Sequence, residues 1–234
     1  MIDAKWEVLG KRKGEKMYEY VTKAEYKPVK KEIEVIIQKV QAYMREYYET
    51  KFQYQLIGSG KRHLITRVVN GNGGYDFDYN LIISPPKKIK PNIVKRQFMD
   101  AFAHVLKDTK FSAPQDSTSA ITIKVKDKKH SKILHSCDFA IIYYEKNIEN
   151  NGYYYLKNNK SQNQYVFEYR NLSKNIDKKL QQILHHSSGW NNIRAEYLKL
   201  KNANKDIHKH SFSIYLEAVH NVFNHLSRKG KKAS

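Results

Sequence analysis

The stretch "YDFDYNLIIS", residues 75–84, constrains this chain more than any other. Aromatic and aliphatic residues alternate with polar ones and then run on, and Pro85-Pro86 stops the run, so it reads as a β-strand. The two-residue period of a strand places Asp76, Asp78 and Asn80 on one face and Phe77, Tyr79 and Leu81 on the other. The second face suits a core. The first sets two carboxylates side by side, where they repel. Two readings follow: a solvated polar face, or a site for a divalent cation, whose hard oxygen ligands at about 2 Å cancel the repulsion.

The rest of the chain supplies strands and helices around this one. Residues 5–31 are basic, contain Pro28 and read as an arm or short elements. From Lys31 to about Thr50 the apolar residues Ile33, Ile37, Val40, Met44 and Tyr47 recur at helical spacing. "FQYQLIGSG" reads as a strand ending at glycines, and "LITRVVNGNGGY" as a strand followed by a glycine-rich turn. Residues 92–108 are helical, with Val94, Phe98, Phe102 and Val105 on one face. "AITIKVKD" and "KILHSCDFAIIYYE" are strands, and residues 152–169 a hairpin around a polar tip. After Arg170 three helical patterns follow, the last carrying Phe212, Leu216, Val219, Phe223 and Leu226, before a basic tail, "RKGKKAS". The expectation is an α+β fold: a mixed sheet flanked by helices over residues 1–170, then a helical C-terminal part over residues 171–234 packed on it.

Net charge is +20 across 234 residues, a field that attracts polyanions such as RNA or nucleotides, although a lysine-rich composition alone also accounts for it. The clusters "PPKKIKPNIVKR" and "KVKDKKHSK" are where a polyanion would lie, if they are more than solvated faces. No apolar run approaches the ~20 residues of a membrane span, and the N-terminus lacks the apolar core of a signal peptide. With the single cysteine, Cys137, this leads to an expected cytoplasmic protein.

Two familiar chemistries are disfavoured. Gly60-Lys61 invites a P-loop, but that loop needs glycine at 55 and a hydroxyl residue at 62, where Gln55 and Arg62 stand. The histidine pairs His208/His210 and His185/His186 have no cysteine or Glu-x-x-His pattern to complete a zinc site.

A third carboxylate sharpens the first observation. Asp138 sits between Cys137, Phe139, Ile141 and Ile142 in a strongly apolar strand, where an unpaired charge is costly. Either a lysine pairs with it, or it is a third cation ligand. The order of these parts is a strand, Gly58-Ser59, a loop, Asp76-x-Asp78 on a strand, then a lone Asp138 on a later strand. It resembles the DNA polymerase beta-type nucleotidyltransferase superfamily. The resemblance implies that Gly58 and Ser59 bind the β- and γ-phosphates of a nucleoside triphosphate. It implies that Asp76, Asp78 and Asp138 hold two magnesium ions, with manganese as an alternative, and that Asp138 is also the base for an acceptor hydroxyl. Two departures stand out: "GKRHLITR" replaces the family's second pair of small residues, and "NGNGG" lengthens the gap to Asp76. Lys61 and Arg62 are phosphate contacts or surface charges.

"IRAEYLKLKN" and "SFSIYLEAVHNVF" are similar to the paired helices of oligoadenylate-synthetase-like and bacterial cyclic-oligonucleotide-synthase-like enzymes. That similarity implies Lys201 as a triphosphate contact, with Lys199 as the fallback, and a bracing helix containing Ser211 and Glu217. The function expected is magnesium-dependent transfer of a nucleoside monophosphate to an acceptor hydroxyl, of RNA or of a nucleotide, with release of pyrophosphate. The alternative is a non-catalytic nucleotide- or nucleic-acid-binding module on the same fold.

Overall fold

The computed structural model describes residues 16–86, 89–145, 152–171 and 176–230, with side chains of the last helix to Arg228. In chain order the elements are β1 (Tyr18–Tyr20), α1 (Lys23–Tyr48), β2 (Phe52–Ile57), α2 (Gly58–Lys61), β3 (Thr66–Val68), β4 (Tyr75–Ile83), α3 (Pro91–Leu106), β5 (Gln115–Asp116), β6 (Ile121–Asp127), β7 (Lys132–Tyr143), β8 (Gly152–Asn159), β9 (Gln164–Asn171), α4 (Ile176–Leu184), α5 (Gly189–Ala203) and α6 (Ser211–Gly230). The main sheet runs β2-β4-β7-β6-β5, and the β8–β9 hairpin joins it through β7. Only β4 and β7 pair in parallel; the other pairs are antiparallel. β1 and β3 form a separate two-stranded sheet.

One face of the main sheet is the core. Phe77, Tyr79 and Leu81 of β4, Cys137 and Phe139 of β7, and Ile121 and Ile123 of β6 are buried there. α1 and α3 cover them with Ile33, Ile37, Val40 and Met44, and with Val94, Phe98 and Phe102. This is the pattern expected from the two periodicities, except that Tyr47 is exposed. A second apolar cluster joins Ile183 of α4, Ile193 and Tyr197 of α5, and Ile214, Ala218 and Val219 of α6 to Leu64, just before β3. The helical part therefore packs around residues contributed by the first half.

The first helix corrects the sequence reading. α1 begins at Lys23, not Lys31, because Thr22 caps it by accepting a hydrogen bond from the Glu25 amide. Pro28 lies inside the second turn, where it removes one ladder bond that the burial of Tyr26 and Ile33 outweighs. Of the expected arm, residues 5–15 lie outside the described part, as do 231–234 of the basic tail and 87–88 of one lysine cluster. β3 is also shorter than expected and pairs with β1 rather than with the main sheet. On α6 the buried stripe is Ile214, Tyr215, Ala218, Val219 and Val222, rotated from the expected one, and Phe212 is exposed.

Candidate active site

The sheet face opposite the core is polar, and strand register builds it in rows. In the first, Ile57 at the end of β2 pairs with Asp78, Asp78 pairs with Asp138, and Asp138 pairs with Thr122. In the second, Asp76 pairs with Ser136, and Ser136 with Lys124. Directly opposed residues share a face and stand about 5 Å apart. Asp76, Asp78 and Asp138 therefore share one patch, an arrangement that the family resemblance implied and that the β4–β7 register produces. No ladder position separates Asp78 from Asp138.

Each carboxylate has a distinct setting. Asp138 Oδ1 accepts a 2.5 Å hydrogen bond from Thr122 Oγ1, and Thr122 in turn lies 2.9 Å from Ser117 Oγ. Among the described residues no lysine forms an ion pair with Asp138, although Lys124 offsets part of its charge. Asp76 accepts a hydrogen bond from Ser136. Burial, then repulsion by Asp138 and Asp76, pushes the Asp78 pKa up to about 6, against a smaller opposing pull from Arg62. Burial also raises that of Asp138, with the Thr122 hydrogen bond working the other way. Asp78 is half-buried and directly opposite Asp138, which a solvated polar face does not account for.

Gly58 and Ser59 open α2 immediately after β2. Gly58 has φ +61°, and a Cβ built there would lie 2.3 Å from Asp78 Oδ2. Both conditions require glycine. Ser59 accepts a backbone bond from the Leu64 amide, while its hydroxyl has no protein partner among the described residues. Lys61 is exposed. Arg62 is half-buried, and its Nη1 donates to the Gly58 carbonyl at 2.9 Å. Its guanidinium sits 5.0 and 4.7 Å from the ring centroids of Phe212 and Tyr215. Arg62 thus ties α2 to α6.

Lys201 reaches the same region from α5. Its Nζ donates to Thr66 Oγ1 (2.8 Å), Ser211 Oγ (3.2 Å) and Tyr197 OH (3.4 Å) and lies over the Tyr18 ring. Burial lowers its pKa, with the Asp76 charge working in the opposite direction. Lys199 faces away, paired with Glu196, and Glu217 pairs with Lys209. Thr122, Ser136 and Ser117 were not anticipated. A polar residue between buried Ile121 and Ile123 was the one signal available for Thr122.

The donor set is chemically suited to a hard divalent cation: three carboxylates, two of them carrying charge in a buried setting that disfavours it. In the rotamers seen, Asp76 is turned to Ser136 and Asp138 to Thr122, and no three acidic, histidine or cysteine side chains form a ready cage among the described residues.

This architecture, a mixed sheet carrying carboxylates on β4 and β7 beside a Gly-Ser turn, with helices behind and after it, is the nucleotidyltransferase fold. Solved structures of Vibrio cholerae DncV share it. A point mutant of that di-nucleotide cyclase, in complex with ATP and GTP, matches with TM-score 0.57 and 11% identity, over 89% of this chain and 70% of that one. The DncV cyclic AMP-GMP synthase matches when bound to nonhydrolyzable GTP (TM-score 0.55, 11% identity, 89% and 69%). It also matches when bound to the linear intermediate pppA(3',5')pG (TM-score 0.56, 11% identity, 89% and 69%). No family model and no curated protein matches the chain. No helix among the described residues is long and apolar enough to cross a membrane.

Proposed function

We propose that this protein is a nucleotidyltransferase that moves a nucleoside monophosphate from a triphosphate to an acceptor hydroxyl. The observation that carries this reading is the row formed by Ile57, Asp78 and Asp138, with Gly58 closing directly on Asp78. A phosphate turn and the reacting carboxylates are thereby fused into one rigid unit. In the new bond the acceptor oxygen attacks the α-phosphorus, the α–β phosphoanhydride bond breaks, and pyrophosphate leaves.

The chain's own groups divide the work. The Gly58-Ser59 turn, with its free serine hydroxyl, orients the triphosphate. Lys201 offsets its charge, Lys61 adds a cation at the rim, and Arg62 fixes the turn to α6. Asp138 Oδ2, which has no hydrogen bond among the described residues, receives the acceptor proton. Asp76, Asp78 and Asp138 would hold magnesium, or manganese. When bound, the metal would offset the charge of the triphosphate and favour ionisation of the acceptor hydroxyl. Positioning and charge neutralisation supply most of the rate in such chemistry. The basic charge of the chain favours a polyanionic or nucleotide acceptor.

The test is incubation with each radiolabelled nucleoside triphosphate and magnesium, with and without cellular RNA, resolving products by size. Label in RNA or in a short oligonucleotide supports the proposal and identifies the acceptor. No labelled product from any triphosphate, together with steeply salt-dependent RNA binding, supports the non-catalytic binding module instead.

A further inference from the structure

Asp138 is held by a relay of groups that the reaction itself does not require. Thr122, directly opposite it on β6, spends its hydroxyl on Oδ1 and is backed by Ser117. Behind these, the segment from Asp116 to Thr122 is locked at several points. The Ser117 amide donates to the Ala120 carbonyl, and Lys95 of α3 donates to the same carbonyl at 3.0 Å. Lys95 Nζ is also 2.8 Å from Asp116 Oδ1, and Asp116 Oδ2 accepts from Tyr165 OH (2.5 Å) and Asn158 Nδ2 (2.9 Å) of the hairpin. The Asn158 amide donates to the Thr118 carbonyl at 2.7 Å. Lys95 is only 4% exposed, so its ammonium has been taken out of water, which costs stability unless its partners repay it, while the Asp116 side chain keeps 25% exposure.

We infer that Thr122 is a positioning residue for Asp138: with Ser117 behind it, it fixes Oδ1 and leaves Oδ2 as the oxygen that meets the acceptor. This rests on the transferase reading above. The hydroxyl proton, donated to one oxygen, selects a single orientation of a side chain that otherwise rotates. Outer partners of this kind typically change activity or metal affinity by 10–100-fold when removed. Ser117 holds the threonine in turn, so its loss has the same direction and a smaller size.

The test compares Thr122→Val, Thr122→Ser and Ser117→Ala with the parent protein. Valine has the shape of threonine, so the fold survives, and thermal unfolding checks it. Two readouts are taken: turnover of the preferred triphosphate with magnesium, and equilibrium binding of Mn2+ by electron paramagnetic resonance. The expected result is a fall in kcat of about 10–100-fold for Thr122→Val with KM for the triphosphate unmoved, weaker Mn2+ binding, and recovery of both in Thr122→Ser. Parent-like kcat and Mn2+ binding in Thr122→Val, or equal losses in the valine and serine variants, overturns the positioning role while leaving the transferase reading intact. A parent protein that neither turns over a triphosphate nor binds Mn2+ overturns the transferase reading and this inference with it.

Discussion

Gly58 and Asp78 are in such close approach that a single added carbon on Gly58 would fall 2.3 Å from the carboxylate oxygen Oδ2. Asp78 is the most buried-charge-stressed group of the site, so the turn and the carboxylate cannot move independently. Gly58→Ala should therefore displace Asp78 and also force alanine into a left-handed conformation costing about 1–2 kcal/mol. Thermal unfolding should register a modest loss, and turnover a loss of about 100-fold or more, since a displacement near 1 Å is enough for that. A variant with parent-like turnover would show that the contact is incidental.

Neutralising Asp78 should stabilise the metal-free protein. Its folded pKa is raised from 3.8 to about 6, so the folded state binds the proton more tightly than the unfolded chain. The group is neutral and harmless below about 4 and destabilises progressively as pH rises through 6. In chelator-containing buffer at pH 7.5, Asp78→Asn should be more stable than the parent by up to about 3 kcal/mol. The gain should vanish near pH 4. Denaturant melts at the two pH values measure it, and an equal difference at both would refute the assignment of the stress to this carboxylate.

Lys201 links α5 to Thr66 and Ser211, and its half-buried ammonium has no carboxylate partner among the described residues. Lys201→Met keeps the stem and removes the charge. Binding of a nonhydrolysable triphosphate should weaken about tenfold or more, with little change in melting temperature. Unchanged affinity would return Lys201 to a purely structural role between the helices.

The Lys95–Asp116 pair gives a stability test free of any ligand. Lys95→Met alone leaves a part-exposed carboxylate held by Tyr165 and Asn158 and should cost about 1–3 kcal/mol. Adding Asp116→Leu should recover much of that, because the two charges no longer require each other. Urea melts of the single and double variants decide it: additive losses would mean the pair is not a coupled unit.

The sequence was most informative where periodicity and burial agree. The faces of β4 followed from alternation, because the core side admits only apolar groups and leaves Asp76 and Asp78 to the other, whereas β7 was legible only as a strongly apolar strand with one carboxylate in it. The α1 and α3 stripes were legible for the same reason. What stayed hidden depends on register between distant strands. Nothing near Thr122 in the chain reveals that it faces Asp138, since that follows from the β6–β7 pairing. Arg62 was legible as a cation beside the Gly58-Ser59 turn, but its clamp on Phe212 and Tyr215 comes from α6, which lies some 150 residues on. The start of α1 was misplaced because Pro28 and the lack of a long apolar stripe marked residues 5–31 as an arm, whereas the Thr22 cap and the buried Tyr26 decide it in the fold.

The central claim is that Asp76, Asp78 and Asp138 form one working site for phosphoryl chemistry. Pyrophosphate release from each nucleoside triphosphate with magnesium, measured for the parent and for Asp76→Asn, tests it most directly. The account predicts release with at least one triphosphate by the parent, and loss of at least about 100-fold in a variant whose fold is unchanged. Release that persists in Asp76→Asn, or none from the parent with any triphosphate, would contradict it.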